Sequence, residues 1–352
     1  MEKKYKIRME YLKQLRDMFE NFVDDPIIAR DYLRIDLLIE RLEHNFQQEA
    51  QSDTIVEQLK VDYEHWPEFR RYFPRVKRFY NSGLYFNDAP KPKYKEINLC
   101  DEDTVRLTRE FFSKQGDFFI KNYDEFLNDD SQEHIDFFEP SPYSAGETVY
   151  LHTTGDAFIF AANDKNIVKL TSFVHESEHV IDCMANENYF ENTTIREINA
   201  MFMELIACDY FNQVFSLDKQ NLLRQFEILG IVKMDSRDVI VRNRMLKLFN
   251  KSRMYDEELI YRRLKRKYNE KYMECMTDYT IYQLYNYQIP YLTAIELYSL
   301  YQVDRDKAIN TVIDIILNGN PNNIFTLLSK HGISLNKHTT EYEDNLCLKL
   351  GI

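Results

Sequence analysis

His175-Glu176-Ser177-Glu178-His179 sets two imidazoles four residues apart with a carboxylate beside the first. On a helix, residues i and i+4 share a face, so both rings can reach one tetrahedral cation. Glu176 then flanks the cation's open position, where a carboxylate can act as general base toward water. The surrounding apolar residues support that helix: Ile167, Leu170, Val174, Ile181 and Met184 recur at three-, four- or seven-residue steps. So short a pattern also fits a solvated or ordinarily hydrogen-bonded pair of histidines. A third ligand decides between the two.

Residues 197–208 read as a second amphipathic helix, with Glu197 and Glu204 seven residues apart on one face beside Ala200 and Ala207. Small residues there allow close approach to the first helix. The ligands of one Zn2+ per chain would be His175, His179 and Glu197, with a fourth position kept for water; cobalt or manganese suits the same donors. The competing reading is a solvated acidic stripe. Against it, both glutamates sit in a markedly apolar segment, where a carboxylate needs a metal or a cation. Asp182, three residues after His179, either orients a ligand imidazole or is a simple surface carboxylate.

These residues resemble the thimet oligopeptidase and oligoendopeptidase F family of zinc peptidases. That family carries His-Glu-x-x-His on one helix and Glu-x-x-small-x-x-x-Glu on the next, matched here by Glu197, Ala200 and Glu204. The approach is similar too: a short apolar strand, Phe158-Ile159-Phe160-Ala161, precedes the metal helix by a turn at Asn163-Asp164. Near the C-terminal end, the segment from Tyr282 to Leu297 looks like the family's tyrosine-rich helix beside the metal. The likeness covers roughly residues 145 to 335. It implies a mainly α, thimet oligopeptidase-like catalytic fold, with one small β-hairpin or sheet next to the metal helix.

The resemblance also implies an activity, a zinc-dependent endopeptidase acting on oligopeptides, with water as nucleophile and Glu176 as general base. Substrate would lie extended along an edge strand at Phe158, Ile159, Phe160 and Ala161. Hydrolysis also needs an oxyanion donor, for which Tyr282, Tyr285 and Tyr287 stand nearest the family's positions. Glu204 would support a ligand histidine or hold the tyrosine helix. Three departures separate this chain from the family pattern. Glu178 replaces the usual glycine, the gap from His179 to Glu197 is shorter, and no histidine occurs between Met254 and Gly319. They motivate an alternative: a zinc-binding regulatory or scaffold protein that kept the site and lost turnover.

Composition bounds the rest. The 352 residues include only eight Gly and nine Pro, which favours helices, and the net charge of −13 argues against a nucleic-acid partner. The run Arg262 to Lys267 reads as a solvated helix face balanced by Asp256, Glu257 and Glu258. Five scattered cysteines without a CxxC pair point to free thiols in a reducing compartment. With a charged start, no secretory leader pattern and no apolar run of membrane length, the expectation is a cytoplasmic protein with no membrane partner.

Along the chain, residues 1–90 read as an N-terminal helical region and 91–352 as the peptidase region, packed together. Helices are expected over Tyr11 to Phe22, Ile27 to Phe46 and Asp103 to Leu127. A hairpin is expected from Thr148–His152 and Ala157–Ala161, and from Asp164 onward the pattern is helical. The segment 81–92 reads as a linker and 128–133 as an acidic loop.

Overall fold

A computed structural model describes residues 2–43, 55–69, 73–81, 93–128, 134–138, 146–186, 193–252, 256–268, 281–319, 324–333 and 339–351. Most of the expected linker and acidic loop, and Phe46, lie outside the described residues. Among the described residues there are fourteen α-helices, one short 3-10 helix (Glu20–Phe22) and three strands. The helices are α1 (Glu2–Phe19), α2 (Pro26–Glu43), α3 (Ile55–Phe69), α4 (Phe73–Asn81), α5 (Asp101–Gln115), α6 (Asp117–Asn128), α7 (Ile167–Ala185) and α8 (Thr193–Val214). After them come α9 (Gln220–Ser252), α10 (Glu257–Lys265), α11 (Ile281–Val303), α12 (Arg305–Asn318), α13 (Ile324–Lys330) and α14 (Thr339–Leu350). The strands β1 (Ile135–Phe138), β2 (Gly146–Tyr150) and β3 (Ala157–Ala162) lie between α6 and α7. The fold is therefore mainly α with a small sheet beside the motif helix, as the resemblance implies.

The chain divides into two compact units. The first comprises Met1–Gln48, Tyr94–Asn221 and Ile309–Leu327; the second comprises Glu49–Lys93, Leu222–Ala308 and Leu328–Ile352.

The first unit is built around the sheet, whose order is β1-β3-β2. β2 and β3 form the expected antiparallel hairpin, with Thr148 opposite Ile159 and Gly146 opposite Ala161. Its turn is closed by Leu151 N donating to Asp156 O at 2.8 Å, with Gly155 at a φ of +78° that suits glycine. β1 adds a strand the sequence did not announce, parallel to β3 with Ile135 opposite Ile159. Consequently β3 is the central strand, paired on both sides, and all six of its residues are buried. The expectation that Phe158, Ile159, Phe160 and Ala161 form a substrate-holding edge is therefore corrected: their backbone already serves the ladder, and the outer strand next to the motif helix is β2.

Alternation along β3 assigns its two faces. Phe158 and Phe160, with Val149 and Leu151, pack against Met9, Leu12, Leu15, Ile35, Leu38 and Leu42 of α1 and α2. Arg8 fastens that layer through the carboxylate of Asp136 and the carbonyl of Ile135. Asp31, wholly buried on α2, accepts from Thr153 N at 2.7 Å and from its hydroxyl at 2.6 Å. The opposite face, carrying Ile159, Ala161, Thr148 and Gly146, is covered by α7, which packs in turn on α5, α6 and α8.

The expected single helix over Asp103 to Leu127 is two. Gly116, at φ +128° and ψ 171°, ends α5 and lets α6 turn back on it, a backbone state open essentially to glycine. In the second unit, α3, α9 and α10 share a core of Ile55, Leu59, Val239, Leu246, Phe249 and Leu264. Within it Asp62 and Arg242, both fully buried, pair at 2.5 Å.

Candidate active site

The start of α7 is fixed before its chemistry begins. Asn166 caps it, its side-chain oxygen accepting from Val168 N at 2.8 Å. Lys169, nearly enclosed, donates to Asn163 Oδ1 at 2.8 Å and to Asp101 Oδ1 at 2.9 Å, with its ammonium 4.4 Å from the Phe137 ring centre. Two further turns on stand His175 and His179, as the four-residue spacing requires, their ring centres 5.0 Å apart. From α8, which lies against α7, Glu197 reaches both rings. Its Oε2 is 3.3 Å from His175 Nε2 and its Oε1 is 3.5 Å from His179 Nε2. One donor atom from each of the three lies within 4.8 Å of the others.

Those contacts are not a satisfied hydrogen-bond network. Glu197 Oε2, turned toward the two rings, is buried and meets no well-aligned hydrogen-bond partner among the described residues. Buried polar atoms of this kind call for an explanation. Two imidazole nitrogens and a carboxylate turned toward one point form the donor set a zinc ion takes, so the residues present fit that ion.

The protonation states agree. Burial alone would lower the pKa of His175, but Glu197 and Glu204 outweigh it and hold the ring well above its ordinary value. His179 goes the other way, driven well below by burial, by Arg196 and by His175. The two shifts favour a protonated His175 between two carboxylates beside a neutral His179. A cation held by the same donor atoms would compete with that proton.

Glu204, one of two carboxylates considered for support, lies 3.2 Å from His175 Nδ1 through its Oε2. That leaves Nε2 of His175 to face Glu197 and the common point. Asp182 does not take the same part toward His179. It accepts from Asn199 Nδ2 at 3.3 Å and sits with Glu178 one turn before it, both wholly buried. Burial raises both carboxyls well above the usual range; Asp182 adds to the rise at Glu178, whereas Asn199, Arg196 and Glu178 oppose it at Asp182. Glu178, where the family pattern has glycine, is thereby part of the protein interior.

Glu176 lies on the face of α7 that meets the sheet. Thr148 Oγ1, on β2, is 2.8 Å from its Oε2 and 2.8 Å from its backbone oxygen. Burial pushes the Glu176 carboxyl up to about 7, against opposing pulls from His175 and Thr148. A carboxylate near neutrality can both take up and release a proton.

Tyr282, Tyr285 and Tyr287 stand on α11 in the second unit. Tyr287 is exposed, and the side chains of Tyr282 and Tyr285 lie outside the described residues. Thr148 was not anticipated, since nothing in its local sequence marks a hydroxyl that reaches a helix 28 residues on.

No protein-family profile and no curated protein sequence matches this chain. Solved structures do match it in fold. PZ peptidase A, solved with an inhibitor, superposes with a TM-score of 0.55 at 12% identity, over 98% of this chain and 67% of that one. A protein from Chlamydophila abortus assigned as a peptidase gives 0.52 at 15% identity, over 98% and 62%. A protein from Bacillus anthracis assigned as an oligoendopeptidase F gives 0.50 at 11%, over 95% and 64%. The chain spans about two thirds of the length of these structures, and it shares their fold. Among the described residues, no helix is long and apolar enough to cross a membrane.

Proposed function

We propose that this chain is a zinc-dependent peptidase that hydrolyses peptide bonds in oligopeptides. The observation that carries the reading is the convergence of His175, His179 and Glu197 within 4.8 Å, with the neutral-range carboxyl of Glu176 adjoining in sequence. When bound, zinc lowers the pKa of a coordinated water and polarises a carbonyl. The side chains supply the rest. His175 and His179 present Nε2, and Glu204 holds the orientation of the His175 ring. Glu176 accepts the proton of the attacking water and delivers it to the leaving amine. An extended substrate adds to β2, the outer strand beside Glu176, rather than to the enclosed β3. Tyr282, Tyr285 and Tyr287 are the proposed source of the oxyanion donor; the one that serves loses about 10²–10³ in kcat as phenylalanine.

The test combines metal analysis with turnover of a quenched fluorescent peptide library. One zinc per chain with cleavage is expected, and Glu176→Gln should keep the zinc and lose the cleavage. Zinc retained without any turnover in the wild-type protein would favour a regulatory or scaffold role. A protein that takes up no metal removes both readings.

A further inference from the structure

We infer that Gly146 and Thr148 of β2 form a cradle that aims Glu176, and that Thr148 is a positioning residue for the reaction. This deepens the peptidase reading and rests on it for its catalytic consequence. Two independent features of one strand meet the same carboxylate. Thr148 is 6% exposed and holds its hydroxyl 2.8 Å from Glu176 Oε2. Two residues earlier, on the same face, Gly146 leaves room for the other half of the group. A Cβ there would stand 2.6 Å from Glu176 Cγ and 2.6 Å from Oε1. Oε2 thus lies within reach of a donor, while Oε1 lies where a side chain at 146 would displace it.

A glutamate has three rotatable bonds before its carboxylate, and holding it in one arrangement costs conformational entropy at every turnover unless neighbours impose it. Thr148 imposes it through a charge-assisted hydrogen bond in a site nearly closed to water. The hydroxyl has one proton for Oε2 and for the Glu176 backbone oxygen, each 2.8 Å away, and Oε1 is the oxygen it leaves to accept a proton. The glycine is not required by the backbone: its φ is not in the left-handed region, in contrast to Gly116 and Gly155. Its role is clearance. Alanine at 146 should therefore leave the strand folded and displace only the flexible carboxylate end it would touch.

The experiment uses the full chain and four proteins: wild type, Thr148→Val, Thr148→Ser and Gly146→Ala. Metal-free crystal structures locate the Glu176 carboxylate, and zinc content, kcat and KM are measured on a cleaved library peptide. Thr148→Val keeps the shape of the side chain and loses its donor. Its kcat should fall by about 10- to 100-fold with KM and zinc content unchanged, and the carboxylate should leave its place. Thr148→Ser should restore both position and rate, which a packing role for the methyl group would not allow. Gly146→Ala should displace the carboxylate and lower kcat in the same range. A valine variant with wild-type kcat, a serine variant no better than valine, or a carboxylate unmoved in the valine and alanine variants overturns the cradle. If the wild-type protein cleaves nothing, the peptidase reading falls, and the crystal structures alone decide whether the cradle exists.

Discussion

Replacing Glu176 by glutamine should stabilise the metal-free protein at alkaline pH, by an amount the structure sets. The Glu176 carboxyl is pushed from 4.5 to about 7, chiefly by burial, and only 7% of the residue is exposed. Between those two pH values the folded chain holds a proton that the unfolded chain has released. Stability therefore falls as pH rises through that window. At about 1.36 kcal/mol per pH unit, the ionised carboxylate costs the fold about 3 kcal/mol once pH is well above 7. Glutamine is nearly isosteric, can accept from Thr148, and carries no charge. The variant should match wild type to within about 1 kcal/mol at pH 5 and exceed it by about 3 kcal/mol at pH 8.

The assay must report on the first unit. Trp66, the chain's single tryptophan, lies in the second and is the wrong probe. Cys183 and Cys208, wholly buried on α7 and α8, are the right ones. Their alkylation over a urea series in chelator, read peptide by peptide, gives the opening free energy of the helices that hold the site. An advantage of the variant that is equal at both pH values, or absent at pH 8, would refute the argument that burial of this carboxylate is costly.

Further expectations concern single residues. Glu204→Gln should weaken zinc binding by about 10- to 100-fold in competition with a chromophoric chelator, because His175 loses the charged partner at Nδ1. Gly116→Ala meets no steric obstacle, with nothing within 4 Å of the added Cβ, yet should cost about 1–3 kcal/mol through its backbone conformation. Asp62→Ala leaves Arg242 buried without its carboxylate and should destabilise the second unit by about 3–5 kcal/mol, followed by Trp66 fluorescence.

What could be read from the chain alone was whatever helical periodicity dictates. His175 and His179 share a face because they are four residues apart, and Glu197 and Glu204 because they are seven apart; no tertiary knowledge was needed. The choice between Asp182 and Glu204 as partner of a ligand histidine was not of that kind. It depends on how α8 is rotated against α7, and Glu204 reaches His175 across that packing while Asp182 turns to Asn199. The strand β1 was hidden for a similar reason. Four residues, Ile135-Asp-Phe-Phe, carry too little pattern, and their partner lies 24 residues on in a parallel register. Missing β1 made β3 look like an edge. Gly116 was visible but ambiguous, since a glycine in an apolar-periodic stretch can be tolerated as well as break it.

The acidic residues around α7 and α8 connect these observations to the cation. Glu176, Glu178, Asp182, Glu197 and Glu204 are all buried, against Arg196 and two histidines of which one is held neutral. Desolvated carboxylates in that number resist ionising together, which is why three of them are raised and His175 keeps its proton. Protons and a divalent cation then compete for the same excess of negative charge. As pH rises the protons leave, the metal-free site grows less stable, and a bound cation relieves more of that cost. The zinc-induced protection of Cys183 and Cys208 should accordingly be larger at pH 8 than at pH 6. Protection that did not vary with pH would mean that the proton and the cation do not share a place, and that the carboxylates around α7 answer to something other than a metal.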